Sequence, residues 1–175
     1  MRDRNEILNQ FYNEFCDEDK RLEPKHRQLE FLTTDKYIQK YLKPGCRILE
    51  VGAGTGKYSL HYAEQGYQIN AIEYVQHNLN ILKSKITKDM NIIAEQGDAI
   101  DLSRFDDETF DIVLVLGPLY HLYTDEDINK CIYEAKRVCK KDGIMMFAYL
   151  PNDSIMISWA LLKGHLKSGS DNKQF

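Results

Sequence analysis

Residues 48–60 read ILEVGAGTGKYSL: an apolar run the length of one strand, glycines at every second position, then a segment with helical spacing. A strand that passes into a helix across Gly52, Gly54 and Gly56 restricts the architecture severely. Glycines admit left-handed backbone and let a ligand approach the main chain. The helix that follows begins with amide groups lacking helical acceptors and with partial positive charge. In a parallel sheet such a turn lies at the carboxyl end of the first strand, where ligands bind.

The rest of the chain repeats the unit. Strands are expected over 47–51, 67–73, 91–96, 110–116 and 144–150, and FDIVLVL at 110–116 is the near-continuous apolar run of a strand buried on both faces. Helices are expected over 57–65, 75–86 and 125–139, the last with Ile128, Cys131, Ile132, Ala135 and Val138 on one face, followed by a turn at Lys141-Asp142-Gly143. This alternation predicts an α/β fold: a doubly wound, Rossmann-like, mostly parallel sheet with helices on both faces. Ahead of it, residues 5–16 space Ile7, Leu8, Phe11, Tyr12 and Phe15 as a helix does. A second helix over 28–41 carries Leu29, Leu32, Tyr37, Ile38 and Tyr41 and stops at Lys43-Pro44-Gly45. Beyond Pro151, residues Ile155, Met156, Trp159, Leu161 and Leu162 suggest one more helix, and KSGSDNKQF a mobile tail.

A chain of 175 residues with 43% hydrophobic content can bury one sizeable core. Its 23 Lys+Arg against 27 Asp+Glu give a net charge of -4, so its overall field does not favour a nucleic-acid partner. No stretch approaches the roughly 18 apolar residues of a membrane span, and MRDRNEILNQ lacks the apolar core of a signal peptide. The expected location is cytoplasmic. Cys16, Cys46, Cys131 and Cys139 lack metal-ligand spacing, so buried reduced thiols are expected and no metal site.

Two ligand classes compete for the glycine turn. A dinucleotide fingerprint, G-x-G-x-x-G, needs its third glycine at position 57, which is Lys57. Glu50, just before the turn, would repel a pyrophosphate and welcome a cation. Glu50-Val51-Gly52-Ala53-Gly54-Thr55-Gly56 resembles the first motif of the class I S-adenosylmethionine-dependent methyltransferases, E-V/L-G-x-G-x-G. The resemblance runs from about Lys43 to Leu150 with the motifs in the family's order. It implies S-adenosylmethionine as cofactor, S-adenosylhomocysteine as product, and a single methyltransferase domain over 1–175. Within it, 1–43 would be a helical lid, 44–150 the cofactor-binding α/β core, and 151–175 a helix and tail.

The same resemblance assigns residues. Glu73 ends the second strand 21 positions after the first glycine (73 minus 52), and an acid there can accept both ribose hydroxyls; Tyr74 beside it would pack on the adenine. Gly97-Asp98-Ala99 matches the family's G-D-A, whose acid meets the adenine amino group. On the residues alone, Glu73 also reads as a solvated strand-end acid and Asp98 as a turn residue or helix cap. Leu116 and Gly117, after the fourth strand, should line the cofactor with Glu50, Gly52, Ala53, Gly54, Thr55, Gly56 and Ala99. Pro118, Leu119, Tyr120 and His121 should lie at the boundary with the acceptor, Tyr120 and His121 as catalytic and substrate residues, and Phe11, Tyr12 and Tyr37 are aromatic candidates to cover cofactor and acceptor.

The motif after the fourth strand is G-P-L-Y, not the D/N-P-P-Y/F/W of enzymes that methylate amino groups of DNA bases or glutamine, which points to a small-molecule acceptor. The expected activity is in-line transfer of a methyl group from S-adenosylmethionine. The alternative is a module that binds this cofactor but is catalytically silent, with a regulatory or assembly role. A nicotinamide oxidoreductase is disfavoured by Lys57. Family members of this type continue past the fifth strand with a helix and an antiparallel hairpin, which this sequence lacks. A shortened piece, a naturally short protein and completion by a second copy each fit; an uncovered sheet edge would favour self-association.

Overall fold

The computed structural model of the protein describes residues 4–15 and 25–149. The helix expected beyond Pro151, the tail and Cys16 lie outside them. Strands β1 (Arg47–Val51), β2 (Gln68–Glu73), β3 (Ile92–Gln96), β4 (Phe110–Val115) and β5 (Cys139–Phe147) form one sheet in the order β3-β2-β1-β4-β5. Every neighbouring pair runs parallel. The described helices are α1 (Arg4–Gln10), which runs on through a π-helical turn (Phe11–Phe15), α2 (Lys25–Ile38), α3 (Lys57–Glu64), α4 (Gln76–Lys85) and α5 (Asp125–Val138).

Strand periodicity explains why both faces are covered. Successive side chains of β1 and β4 point to opposite sides. Ile48, Ile112 and Leu114 pack with Tyr58 and Tyr62 of α3 and with Ile38 of α2. Leu49, Val51, Val113 and Val115 pack with Cys131, Ala135 and Val138 of α5. On the α3 side, Leu79 and Leu82 of α4 meet Ala71 and Ala94. The chain therefore winds one way through α3 and α4, then crosses to restart at β4 beside β1. That reversal of strand order, between β1 and β4, is where a doubly wound sheet opens a crevice.

The crossover over 97–109 contains no helix. It is held instead by Leu102, 1% exposed, and by Arg137 of α5. The Arg137 guanidinium donates to the carbonyls of Phe105 and Leu102 and to Asp107 and Glu134, at 2.8–2.9 Å. Glu134 in turn accepts from the Leu102 amide at 2.8 Å. α5 starts where the sequence places it, with Thr124 accepting from the Asp127 amide and three acids in the first turn.

Three expectations shift. Cys139 belongs to β5, not to the preceding helix, so helix passes into strand with no loop. Lys140, Lys141, Asp142 and Gly143 then loop out opposite Asp111, because Phe110 pairs Cys139 while Ile112 pairs Ile144. The Lys-Asp-Gly turn is thus an irregularity inside a strand, and a side chain at Gly143 would press on the Asp111 carbonyl at 2.9 Å. The N-terminal helices also present different faces. Leu8 is buried whereas Ile7 and Phe11 are exposed; Ile38 is buried whereas Leu29, Leu32, Tyr37 and Tyr41 are exposed.

Candidate functional site

The glycine turn, the ends of β2, β3 and β4, and the N-terminal helices surround one cavity of about 780 Å³. Its floor is the turn itself. Gly52, Gly54 and Gly56 have φ of 75°, 57° and 91°, values that L side chains rarely adopt. The glycines also divide the packing between them. A Cβ on Gly52 would sit 2.7 Å from the Pro118 ring, and one on Gly56 would sit 2.2 Å from Leu82 Cδ1. Gly52 thus seats the loop after β4, and Gly56 lets α3 and α4 close together. Ala53 and Thr55 between them are buried, and the Thr55 carbonyl accepts from Lys85 at 3.3 Å.

Glu50 shares its strand face with Ile48 and so points toward α3, where Ser59 donates to its carboxylate. It is 3% exposed. Burial, countered by the Ser59 hydrogen bonds and reinforced by the Glu73 charge, pushes its pKa up to about 8. An opposing positive charge would restore its ionised form.

Glu73, at the end of β2, is buried and holds two loops at once. Oε2 accepts from the Gly54 amide at 2.7 Å and Oε1 from the Val75 amide at 2.9 Å. A solvated strand-end acid it is not. Glu73→Ala is expected to cost the fold about 1–3 kcal/mol by stranding these amides, with Glu73→Gln costing less. Chemical denaturation reads this directly, and an unchanged midpoint for the alanine variant would remove Glu73 as the tie.

Asp98 follows β3. One carboxylate oxygen caps its own turn by accepting from the Ile100 amide at 3.3 Å; the other pairs with Arg4 of α1. The same guanidinium lies 5.1 Å from the centre of the Tyr74 ring. Buried Ala99 and half-buried Leu116 and Gly117 complete this end of the lining.

At the far end the 3-10 turn Pro118–Tyr120 delivers His121. Its Nε2 is 3.0 Å from the Tyr12 hydroxyl, and the two rings meet edge to face. Burial, and secondarily the Arg4 charge, hold the imidazole below its usual pKa, which keeps it neutral and able to accept a proton. Tyr120 lines the same wall.

The residues singled out in the sequence therefore converge on this cavity, apart from Phe11, which is exposed, Leu119, which packs against the core on the α5 side, and Tyr37. That side chain is not among the lining residues; it is 54% exposed and lies under Lys40, whose ammonium is 4.3 Å from the ring centre. Among the lining residues not picked out as site residues are Arg4, Leu8, Phe31 and Tyr58. Arg4, Leu8 and Tyr12 are spaced at i, i+4 and i+8, a stripe that apolar periodicity alone hides because its first member is charged. Among the described residues no cluster could hold a metal ion, Cys46, Cys131 and Cys139 are buried free thiols, and no helix is long and apolar enough to cross a membrane.

Comparison with known proteins bears on this arrangement. The methyltransferase-domain family profile matches residues 49–147, more than half of the chain. A glycine/sarcosine N-methyltransferase of Aphanothece halophytica is 29% identical over 112 residues, 63% of this chain and 42% of its own. A demethylmenaquinone methyltransferase of Renibacterium salmoninarum is 34% identical over 105 residues, 60% of this chain and 41% of its own. The chain thus spans about half the length of the curated relatives it matches. In fold, it is similar to the magnesium protoporphyrin IX methyltransferase of Synechocystis PCC 6803, solved with bound S-adenosylmethionine. The TM-score is 0.70 at 17% identity, covering 87% of this chain and 78% of that one. With a parallel 3-2-1-4-5 sheet, a three-glycine turn at its switch point and a family match across that core, this chain belongs to the class I S-adenosylmethionine-dependent methyltransferases.

Proposed function

We propose that the protein transfers the methyl group of S-adenosylmethionine to a small-molecule acceptor. The observation that carries the reading is one continuous cavity running from Asp98 and Tyr74, past Glu73 and the glycine turn, to Tyr12 and His121. The residues fit the cofactor. Gly52, Gly54 and Gly56 keep side chains out of the turn, and Glu50 is a buried carboxylate that a cation would stabilise.

When bound, the cofactor supplies a methyl group already activated on a sulfonium, so positioning can do most of the catalysis. In this reading Glu50 faces the cationic amino-acid end, Glu73 accepts from the ribose hydroxyls, and Asp98 and Tyr74 hold the adenine. Leu116 and Gly117 lie beneath the reacting end, with Tyr12, Tyr120 and His121 as the acceptor wall. A hydroxyl or ammonium acceptor must lose a proton, and neutral His121 can take it at Nε2 once the Tyr12 hydroxyl yields that position. The family relationship and the small-molecule acceptors named in two of the relatives support the substrate class.

The test is twofold: calorimetric titration with S-adenosylhomocysteine, then incubation with S-adenosylmethionine and a panel of amine, phenol and carboxylate acceptors, with mass detection of product. Saturable binding plus a methylated acceptor is the expected result. A folded protein that binds neither form of the cofactor would end this reading. Binding without any methylated product would instead favour the silent module.

A further inference from the structure

We propose that Arg4 occupies the subsite the adenine ring requires, making α1 a built-in competitor that must withdraw before the adenosyl group can bind. The inference rests on the assignment of Asp98 and Tyr74 to adenine.

Adenine asks two things of that subsite: an aromatic surface against its flat face and a carboxylate to accept from its amino group. The Arg4 side chain takes both. Its guanidinium is 5.1 Å from the centre of the Tyr74 ring and donates to Asp98 Oδ2. A guanidinium is planar, carries only donors and stacks on aromatic rings, so it imitates the polar edge and the flat face of an aminopurine. The other oxygen of Asp98 is occupied by the Ile100 amide. Adenine cannot use this acid and this ring as assigned while Arg4 holds them.

The contact is not an isolated surface pair. The Arg4 and Asp98 side chains are only 18% and 26% exposed. One turn further along the helix Leu8 is buried in the cavity lining, and one turn beyond that Tyr12 reaches His121. One face of the N-terminal helix is thereby laid along the cavity, from the adenine end to the acceptor end. Its anchors along the cavity include an ion pair, a cation–π contact, a leucine and a hydrogen bond, each of a modest kind that a well-fitted ligand can outcompete.

A ligand that binds only the open arrangement loses apparent affinity in proportion to the closed fraction. Removing the occupant should therefore tighten binding, the opposite of what deleting a binding residue does. The experiment is calorimetric titration of the 175-residue chain with S-adenosylhomocysteine in four forms: unmodified, Arg4→Gln, Asp98→Asn and the double variant. Hydrogen exchange of residues 4–15 is followed in parallel. Arg4→Gln is expected to bind about three- to tenfold more tightly than the unmodified chain. Asp98→Asn should lose more affinity in the Arg4→Gln background than alone, because alone it also releases Arg4. Exchange in 4–15 should accelerate on adding ligand.

Unchanged or weakened binding by Arg4→Gln, or slower exchange on adding ligand, overturns the proposal; if Asp98→Asn in that background still weakens binding, the adenine assignment survives. Should neither substitution alter affinity, singly or together, the assignment of Asp98 to adenine fails and the proposal falls with it.

Discussion

Gly56→Val is expected to destabilise the protein by about 3–5 kcal/mol, enough to remove much of the stability of a marginal domain. Two independent penalties add. The residue sits at φ 91°, where a β-branched side chain is strained by about 1–3 kcal/mol. Its Cβ would also lie 2.2 Å from Leu82 Cδ1 and 3.3 Å from Leu60. Leu82 is 0% exposed, packed with Leu79, Ala53, Ala71 and Ala94, so its methyl has nowhere to retreat, and overpacking of this kind costs about 1–3 kcal/mol. Urea denaturation measures the sum. In a Leu82→Ala background, with that variant as the reference, the added cost of Gly56→Val should fall to the backbone part. A midpoint shift worth less than about 1 kcal/mol would mean that α4 yields freely, and that the third glycine is not what lets the two helices close.

Glu50→Gln should separate stability from binding. The carboxyl stands at about 8 in the folded protein against an ordinary 4.5, so between those values the folded chain holds a proton that the unfolded chain releases. By linkage, the contribution of Glu50 to stability is fully present below about pH 4.5 and is lost as pH rises toward about 8. The neutral amide has no such dependence. Without ligand, the variant should therefore gain stability relative to the parent as pH rises, by about 1–3 kcal/mol at pH 8.5, with the gain shrinking toward pH 5. Binding runs the other way. Affinity of the parent for S-adenosylhomocysteine should increase from pH 6 to pH 8 as Glu50 gives up its proton to face the ligand's ammonium. Glu50→Gln should bind at least tenfold more weakly, about 1.4 kcal/mol, without that rise. Thermal melts and titrations over the same pH range read both halves. Equal affinity in parent and variant would take Glu50 out of the site and leave it a buried partner of Ser59.

The fold was legible because its signals are local and redundant. Alternating apolar strands and the glycine turn specify a parallel sheet without knowledge of any long-range contact. The carboxylates at 50, 73 and 98 were picked out through the family resemblance, Glu50 also by the charge it sets before the glycine turn; each stands at the end of a strand, which brings it to the crevice. What escaped was set by contacts between distant segments. Nothing near Arg4 signals a pairing with Asp98, 94 positions away. Cys139 continues the apolar spacing of α5, so the missing loop before β5 left no mark in the sequence. Tyr37 and Tyr12 look alike as aromatic residues on N-terminal helices; only the docking of those helices sends one into the cavity and the other to its outside.

The seating of Pro118 on Gly52 has an evolutionary consequence. Were acceptor choice and cofactor grip built on separate parts, each could drift alone. Here the loop bearing Tyr120 and His121 rests directly on the first glycine of the turn, with no side chain between them to absorb a change. In the proposed reading, a mutation that re-aims the acceptor wall must push on the floor beneath the cofactor. New acceptor specificities in this scaffold should therefore arise more readily through the N-terminal helices, which can be re-docked or replaced, than through the loop after β4.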